Sequence, residues 1–207
     1  REAAVPYTII GGIRFYERKE VKDILAYIRI ALLPDDNVRL RRIINVPHRG
    51  IGAATLKTLE EFSKLHGCSL YQAVVKLSPE TPKLAGFVSL IEKLSVFVKE
   101  LSPSEFVKRI FEETGYLEAL KRDEEGEDRI ENVMELMGAA KRYEERMPEM
   151  GIEGFMDEVS LLSDEDISHI NSQVPARKTH AATMVSLMTL HSAKGLEFPV
   201  VFITGLE

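Results

Sequence analysis

The sequence MTLHSAKGLEF, residues 188–198, lies between two short runs rich in apolar and β-branched residues, 185–190 and 199–204. Runs of this kind predict buried β-strands. The sequence 188–198 is therefore expected to form a loop outside the carboxyl end of a strand. Ligands bind at that edge in open α/β sheets.

The side chains of this loop suit a nucleotide or a nucleic acid. Thr189 and His191 can donate hydrogen bonds to phosphate, and Glu197 can accept one from a ribose hydroxyl. Lys194 adds an ammonium group, and Gly195 permits close approach of the backbone. Each residue taken singly is compatible with an ordinary surface loop, and the candidate site rests on their combination.

Outward from this loop, the sequence predicts a long helical region between two strand-bearing flanks. Residues 5–10 form a β-rich run closed by Gly11 and Gly12, which predicts a strand. Helical periodicity and stop signals predict helices over residues 18–33, 53–65, 83–101, 127–147 and 152–162. Three further helices are predicted from their caps. One runs from Asp35 or Asp36 to Ile44, a short one begins after Ser69, and one covers 102–111 and continues beyond. Residues 171–179 are expected to be a linker. The order indicates a helical domain inserted into an α/β domain whose flanks meet in space.

The sequence NVPHRGIG, residues 45–52, predicts a turn between two helices. Gly50 and Gly52 are free to adopt positive φ, so the turn can present backbone N–H groups to a phosphate, as helix-hairpin-helix motifs do. Arginines cluster nearby, although a lone Gly-Ile-Gly is usually a structural turn. The residues expected to contact duplex DNA are Arg41, Arg42, Arg49, Gly50, Ile51, Gly52 and Thr55.

Charge is distributed unevenly along the chain. Residues 1–78 hold 13 Lys and Arg against 8 Asp and Glu, and residues 79–207 hold 14 against 25, which gives +5 and −11 and a total of −6. Only the amino-terminal part therefore offers a basic surface for phosphate. Cys68 is the single cysteine, so neither an internal disulfide nor a metal cluster is expected. No membrane-spanning run or signal peptide is apparent, and we expect a cytoplasmic protein.

Residues 188–198 resemble motif V of superfamily 1A DNA helicases of the UvrD/PcrA/Rep type almost residue for residue. This resemblance implies that Thr189 and His191 approach single-stranded DNA. It also implies that Glu197 approaches the nucleotide, with Lys194 and Gly195 shaping the loop around it. Residues 7–29 resemble the family motif that follows the fourth helicase motif. Residues 45–56 resemble the duplex-contacting turn of the family's 2B subdomain.

The resemblance implies a mostly α fold with a helical 2B accessory domain, residues 29–180, inserted into a fragment of a RecA-like 2A domain, residues 1–28 and 181–207. The intact protein is then an ATP-dependent 3′ to 5′ DNA helicase of repair or replication that uses ATP and magnesium. The sequence has no Gly-x-x-x-x-Gly-Lys-Ser/Thr loop, so this chain alone is expected to bind no cofactor and hydrolyse no ATP. The family's arginine finger would follow residue 207, and both ends are expected to be internal to a longer chain.

The expected partners are single-stranded DNA, duplex DNA and the rest of the helicase chain, and other proteins are candidate partners. Two alternatives remain open from the sequence. One is a separate helix-hairpin-helix-like module that binds duplex DNA without ATP. The other is a helical protein-interaction domain, with the acidic region 79–172 as the partner face.

Overall fold

Helices make up most of the computed structural model, which describes residues 7–10, 15–171, 185–188, 193 and 195–204. The predicted mostly α fold is confirmed. The elements are β1 (Tyr7–Ile10), α1 (Lys19–Leu32), α2 (Asn37–Ile43), α3 (Ala53–His66), α4 (Leu70–Leu77), α5 (Pro82–Glu100), α6 (Pro103–Glu113), α7 (Tyr116–Leu120), α8 (Gly126–Arg146), α9 (Gly151–Asn171) and β2 (Val185–Met188), with 3-10 helices at Phe15–Glu17 and Ser78–Glu80. None of the described helices is long and apolar enough to cross a membrane.

Helix α1 lies at the centre of the helical body. It contacts α2, α5, α6, α8 and α9. Val21, Ile24, Tyr27, Ile28 and Ile30 on α1 are all fully buried. A helix with buried residues on most of its surface belongs in the middle of a core. The division expected between residues 28 and 29 therefore falls inside a continuous helix of this core.

Several helix ends are set by the local signals that the sequence predicts. Asp36 caps α2, where its Oδ1 accepts a hydrogen bond from the N–H of Val38 at 3.1 Å. Helix α3 ends at Gly67, which adopts a left-handed φ of 60°. Glu105 accepts a hydrogen bond from the N–H of Ser102 at 3.3 Å, as expected for a capping box at the start of α6.

Two helical features differ from the sequence prediction. Helix α9 continues to Asn171, so the predicted end at Leu162 is wrong. No glycine or proline occurs between Gly154 and Pro175, and nothing in the sequence stops the helix earlier. The separate helix α7 was not predicted; it follows Gly115, whose φ of 74° ends α6 and redirects the chain.

The two flanks meet in a parallel pair of strands. Tyr7 of β1 lies opposite Val185 of β2, and Ile10 lies opposite Met188. The whole helical body connects these two neighbouring strands, as expected for an insertion. The second predicted strand of the carboxyl-terminal flank, 199–204, is wrong, because these residues form no strand. A strand needs a hydrogen-bonding neighbour, and β1 and β2, the strands that the structure describes, pair with each other.

Candidate nucleic-acid interface

The connection from α2 to α3 is a tight turn built around two glycines in different conformations. Gly50 adopts a φ of 71°, as predicted for a position that favours glycine. Gly52 has extended backbone, with φ −84° and ψ −175°, so positive φ is not its role. A Cβ atom added at Gly52 would meet nothing within 4 Å. Glycine at this position therefore leaves the surface open rather than relieving strain.

Asn45 holds the turn in shape. Its Oδ1 accepts hydrogen bonds from the backbone N–H groups of Arg49, at 2.8 Å, and Ile51, at 3.0 Å. The Ile51 side chain is only 2% exposed and fixes the turn to the core. Ile51 was expected to contact DNA, but its side chain points inward and its N–H is already bonded. Asn45 was not identified as a site residue, although asparagine bonding to nearby backbone is a common turn signal.

Helix α3 begins at the surface without a side-chain cap. Gly52 is the N-cap and supplies no side-chain acceptor. The first N–H groups of a helix have no partner within the helix. Gly52, Ala53 and Ala54 are all exposed, so their backbone is accessible from solvent. Thr55 follows on the same turn and is partly buried. This helix start can accept an anion, which the helix dipole also favours.

Lys83 brings a positive charge to the turn from α5. Its Nζ donates a hydrogen bond to the carbonyl oxygen of Gly50 at 2.6 Å, and the side chain is exposed. Sequence reasoning missed Lys83, because it lies 33 residues from Gly50 and only tertiary packing brings the two together. His48 is exposed on the turn, and Lys57 is 77% exposed on α3. Together with the start of α3, these side chains form what we call the α3 entry surface: His48, Gly52, Ala53, Ala54, Lys57 and Lys83.

The arginines expected beside the turn differ in how accessible they are. Arg41 is 51% exposed and forms an ion pair with Glu60, with Nε 2.8 Å from Oε1. An exposed pair of this kind contributes little stability and can exchange for a phosphate. The guanidinium of Arg49 points inward, where Nη1 donates to the carbonyl oxygen of Val46 at 2.9 Å. The ion pair with Glu60 places Arg41 beside the second turn of α3, whereas the charged group of Arg49 lies beneath the glycine turn.

The Arg42 side chain is 35% exposed and contacts the buried carboxylate of Asp23. Its Nη2 donates to the carbonyl oxygen of Lys19 at 3.1 Å. Its Nε lies 2.7 Å from Oδ1 of Asp23, although the N–H direction does not make this a hydrogen bond, so the contact is an ion pair. Tyr116 donates its hydroxyl to Oδ2 of Asp23 at 2.6 Å. Burial raises the pKa of the Asp23 carboxyl, even though contact with Tyr116 and Arg42 lowers it in part. These contacts join α1, α2 and α7 and are structural.

The loop after β2 is described only in part. Gly195 adopts a φ of 85°, and the N–H of Leu196 donates to the carbonyl oxygen of Ala193 at 3.0 Å. Glu197 is exposed. The predicted site residues Thr189, His191 and Lys194 lie outside the described residues. The expected grouping of Thr189, His191, Lys194, Gly195 and Glu197 therefore stays a prediction. No group of acidic, histidine or cysteine residues in the described ranges is arranged to hold a metal ion.

Comparison with known proteins gives a consistent result over the whole chain. The family of UvrD-like helicase C-terminal domains matches residues 1–207. The ATP-dependent DNA helicase PcrA of Bacillus subtilis (strain 168) is 36% identical over 214 residues, which cover 100% of this chain and 28% of the relative. The protein of the same name from Staphylococcus aureus (strain Mu50) is 37% identical over 213 residues, 98% of this chain and 28% of the relative. The chain thus spans little more than a quarter of these relatives.

Proposed function

The chain belongs to the family of UvrD-like helicase C-terminal domains, and we propose that it supplies the duplex-contacting accessory part of an ATP-dependent DNA helicase. The observation that carries this proposal is the α3 entry surface. There, uncapped and exposed backbone N–H groups begin two residues after Gly50, whose carbonyl oxygen accepts a hydrogen bond from the ammonium group of Lys83. The relatives are ATP-dependent DNA helicases by name, and the corresponding activity of a longer protein containing this chain is part of the proposal.

The chemistry of this surface favours phosphate over bases. A helix start offers several N–H donors and a partial positive charge, and both suit a phosphate oxygen. Ala53 and Ala54 have side chains too small to read base edges, so contact through them carries no sequence preference. Contacts of this kind give non-specific dissociation constants of about 10⁻⁴ to 10⁻⁶ M at physiological salt. The acidic remainder of the chain, −11 over residues 79–207, places this chain at the weak end of that range.

The helical body is proposed to be the family's 2B subdomain, and the boundary of the motor fragment is best placed before α1. Helix α1 shares the core of the helical body, whereas β1 pairs with β2. The flank 1–14 and the flank from about residue 181 onward are then the RecA-like 2A pieces. A 3′ to 5′ direction, a role in repair or replication and action in the cytoplasm belong to the same proposal.

The loop after β2 is proposed to act as motif V in the longer protein. Thr189 and His191 would approach single-stranded DNA. Glu197 would approach ATP, with Lys194 and Gly195 shaping the loop around it. The phosphate loop that holds these ligands is not in this sequence. We therefore expect the chain alone to hydrolyse no ATP, with or without single-stranded DNA, in an assay of phosphate release. Turnover above that of the heat-inactivated chain would contradict this.

The duplex assignment is tested by two lysines on the same helix. Lys83 and Lys99 are both exposed on α5, about 24 Å apart at 1.5 Å per residue. Fluorescence anisotropy of a labelled duplex would be measured for the parent, Lys83→Ala and Lys99→Ala between 50 and 200 mM salt. One lost phosphate contact reduces the slope of log affinity against log salt by about 0.9. We expect this reduction for Lys83→Ala and the parental slope for Lys99→Ala.

The assignment fails on either of two results. If the parent binds no duplex at any salt concentration, the chain is not the duplex-contacting part. If Lys83→Ala and Lys99→Ala change binding equally, the attraction is a general effect of charge and the α3 entry surface has no special role. Circular dichroism of all three proteins verifies that each is folded.

A further inference from the structure

The Arg49 side chain lies beneath the glycine turn and binds backbone carbonyl groups on the inner side. Its Nη1 lies within hydrogen-bonding distance of the carbonyl oxygens of Ile43, at 3.2 Å, Val46, at 2.9 Å, and Pro47, at 3.2 Å. Its Nη2 donates to the carbonyl oxygen of Thr114 at 3.1 Å. The first three carbonyls belong to the last residue of α2 and to the turn after it, where a helix leaves its last acceptors without partners in the helix. One guanidinium therefore joins three carbonyl groups of the α2–α3 connection to one at the end of α6.

Two aromatic rings enclose the same guanidinium. Its central carbon lies 5.8 Å from the ring centroid of Tyr27 on α1 and 5.8 Å from that of Phe87 on α5. Both rings are almost completely buried. Tyr27 also donates its hydroxyl to the carbonyl oxygen of Val46 at 2.5 Å. Burial raises the pKa of Tyr27 to about 12, so the hydroxyl stays a donor even above the pH at which an exposed tyrosine ionises. Cation–π contact further stabilises a charge that is partly withdrawn from water.

The remaining contact links the turn to a distant part of the chain. Thr114 is the C-cap of α6 and is 7% exposed. It lies 65 residues from Arg49 in sequence, so the hydrogen bond between them ties the turn to the end of α6. The five donors of a guanidinium in a fixed plane suit several carbonyls at once, whereas a lysine ammonium is a point charge on a flexible chain.

We propose that Arg49 is a positioning residue, which orients the duplex-binding turn from below and links it to the end of α6, and that it makes no phosphate contact. This inference rests on the proposed function of the turn. The usual assignment for an arginine beside a glycine turn is a phosphate ligand, and the two roles predict different salt dependence. A phosphate ligand releases a counterion when DNA binds, whereas a positioning residue changes affinity without changing the salt slope.

The first test compares Arg49→Lys and Arg49→Met with Lys83→Ala in the same chain. We expect both Arg49 variants to lower duplex affinity, by about tenfold or more, since hydrogen bonds to a charged donor are lost. We also expect them to keep the parental salt slope, whereas Lys83→Ala reduces it by about 0.9. Although Arg49→Lys retains the positive charge, it should restore little of the lost duplex affinity. A reduced slope in Arg49→Met together with full rescue by Arg49→Lys would overturn the proposal.

A second test requires neither DNA binding nor a substitution, so unfolding of a variant does not affect it. The Arg49 Nη protons of the free parent should give separate NMR signals, because fixed hydrogen bonds slow rotation of the guanidinium. Averaged Nη signals in the free protein would overturn the positioning role whatever the DNA result. If the parent does not bind duplex at all, the proposed function fails, while separate Nη signals would still support the link from Arg49 to the turn. When duplex does bind, the Arg49 Nη signals should remain unchanged. Arg49 Nη signals that become separate only after DNA is added would overturn the proposal.

Discussion

Helices α3 and α4 follow one another in the chain and begin in opposite ways. At the start of α4, Ser69 Oγ accepts a hydrogen bond from the N–H of Gln72 at 3.1 Å. In return, Gln72 Oε1 accepts one from the N–H of Ser69 at 3.3 Å. The N–H of Leu70 donates to Oδ1 of Asn37 at 2.8 Å. At the start of α3, Gly52 provides no side chain and the first turn faces solvent. One helix start is closed by the protein itself, and the other is left open.

The difference between the two helix starts shows that a helix can lose its side-chain cap at little cost in stability and gain a surface for binding. A side-chain cap typically contributes about 1 kcal/mol relative to alanine, and glycine loses only a few tenths of that stabilisation. An open start at α3 therefore costs the fold little. In return, the N–H groups of α3 remain available for a phosphate, beside Lys83. The capping box at α4 uses the same kind of donor for structure, so α4 is the internal control for every test of α3.

The largest expected effect comes from the apolar residues that anchor the two helix starts. Ile51 is 2% exposed and Leu70 is 1% exposed. Truncation of either to alanine removes buried methyl groups and should lower the free energy of unfolding by about 2–5 kcal/mol. Urea unfolding followed by circular dichroism measures this change. At a temperature where both variants are folded, only Ile51→Ala should also weaken duplex binding. Equal duplex affinity of the two variants would show that the turn is not the binding surface.

A smaller effect is expected when the start of α3 is given a charged cap. Gly52→Asp meets no steric obstacle, since an added Cβ has nothing within 4 Å. The carboxylate should accept from the first N–H groups, stabilise the helix by a few tenths of a kcal/mol and repel phosphate. We expect duplex affinity to fall about tenfold, which corresponds to about 1.4 kcal/mol. Anisotropy and thermal unfolding measure the two quantities.

Gly52→Asn is the matched control for this change, because asparagine caps a helix about as well as aspartate but carries no charge. Its affinity should lie between those of the parent and Gly52→Asp. If Gly52→Asp were stabilised as expected and still bound duplex as tightly as the parent, the N–H groups of α3 would not be the phosphate donors.

The smallest effect is expected for the reverse exchange at α4. Ser69→Gly removes the capping side chain and gives α4 the same N-cap residue as α3. The free energy of unfolding should fall by only a few tenths of a kcal/mol. Duplex affinity should not change, because the α3 entry surface is intact. Differential scanning calorimetry and anisotropy would be compared with the parent. A gain of duplex affinity in Ser69→Gly would mean that any open helix start in this chain binds DNA.

Local sequence signals predicted the helices and the position of the turn, but not which of its groups face the solvent. Capping residues, glycines and prolines act on their immediate neighbours, so Asp36, Gly50 and Gly67 could be interpreted from the sequence. The orientation of Arg49 depends on Tyr27, Phe87 and Thr114, which are far away in sequence. Its charge therefore predicted a phosphate contact, whereas packing directs the side chain inward.

Lys83 is the opposite case, a charged residue that the sequence did not assign to the turn. Its charge lies in the acidic part of the chain by sequence, and only the packing of α5 brings it to the carbonyl oxygen of Gly50. The strand predicted over residues 199–204 was wrong for a related reason. Apolar β-branched residues indicate a tendency to form a strand, but formation requires a neighbour to complete the hydrogen-bond ladder. Sequence periodicity contains no information about that neighbour.

The central claim, that duplex DNA binds at the open start of α3 and not at the closed start of α4, is tested most directly by NMR. Backbone amide signals of the ¹⁵N-labelled chain would be followed as a short duplex is added at low salt. We predict that the amides of Gly52, Ala53 and Ala54 shift most, while those of Leu70 and Gln72 stay in place. Shifts of equal size at both helix starts, or shifts that leave Gly52 to Ala54 unchanged, would contradict the account.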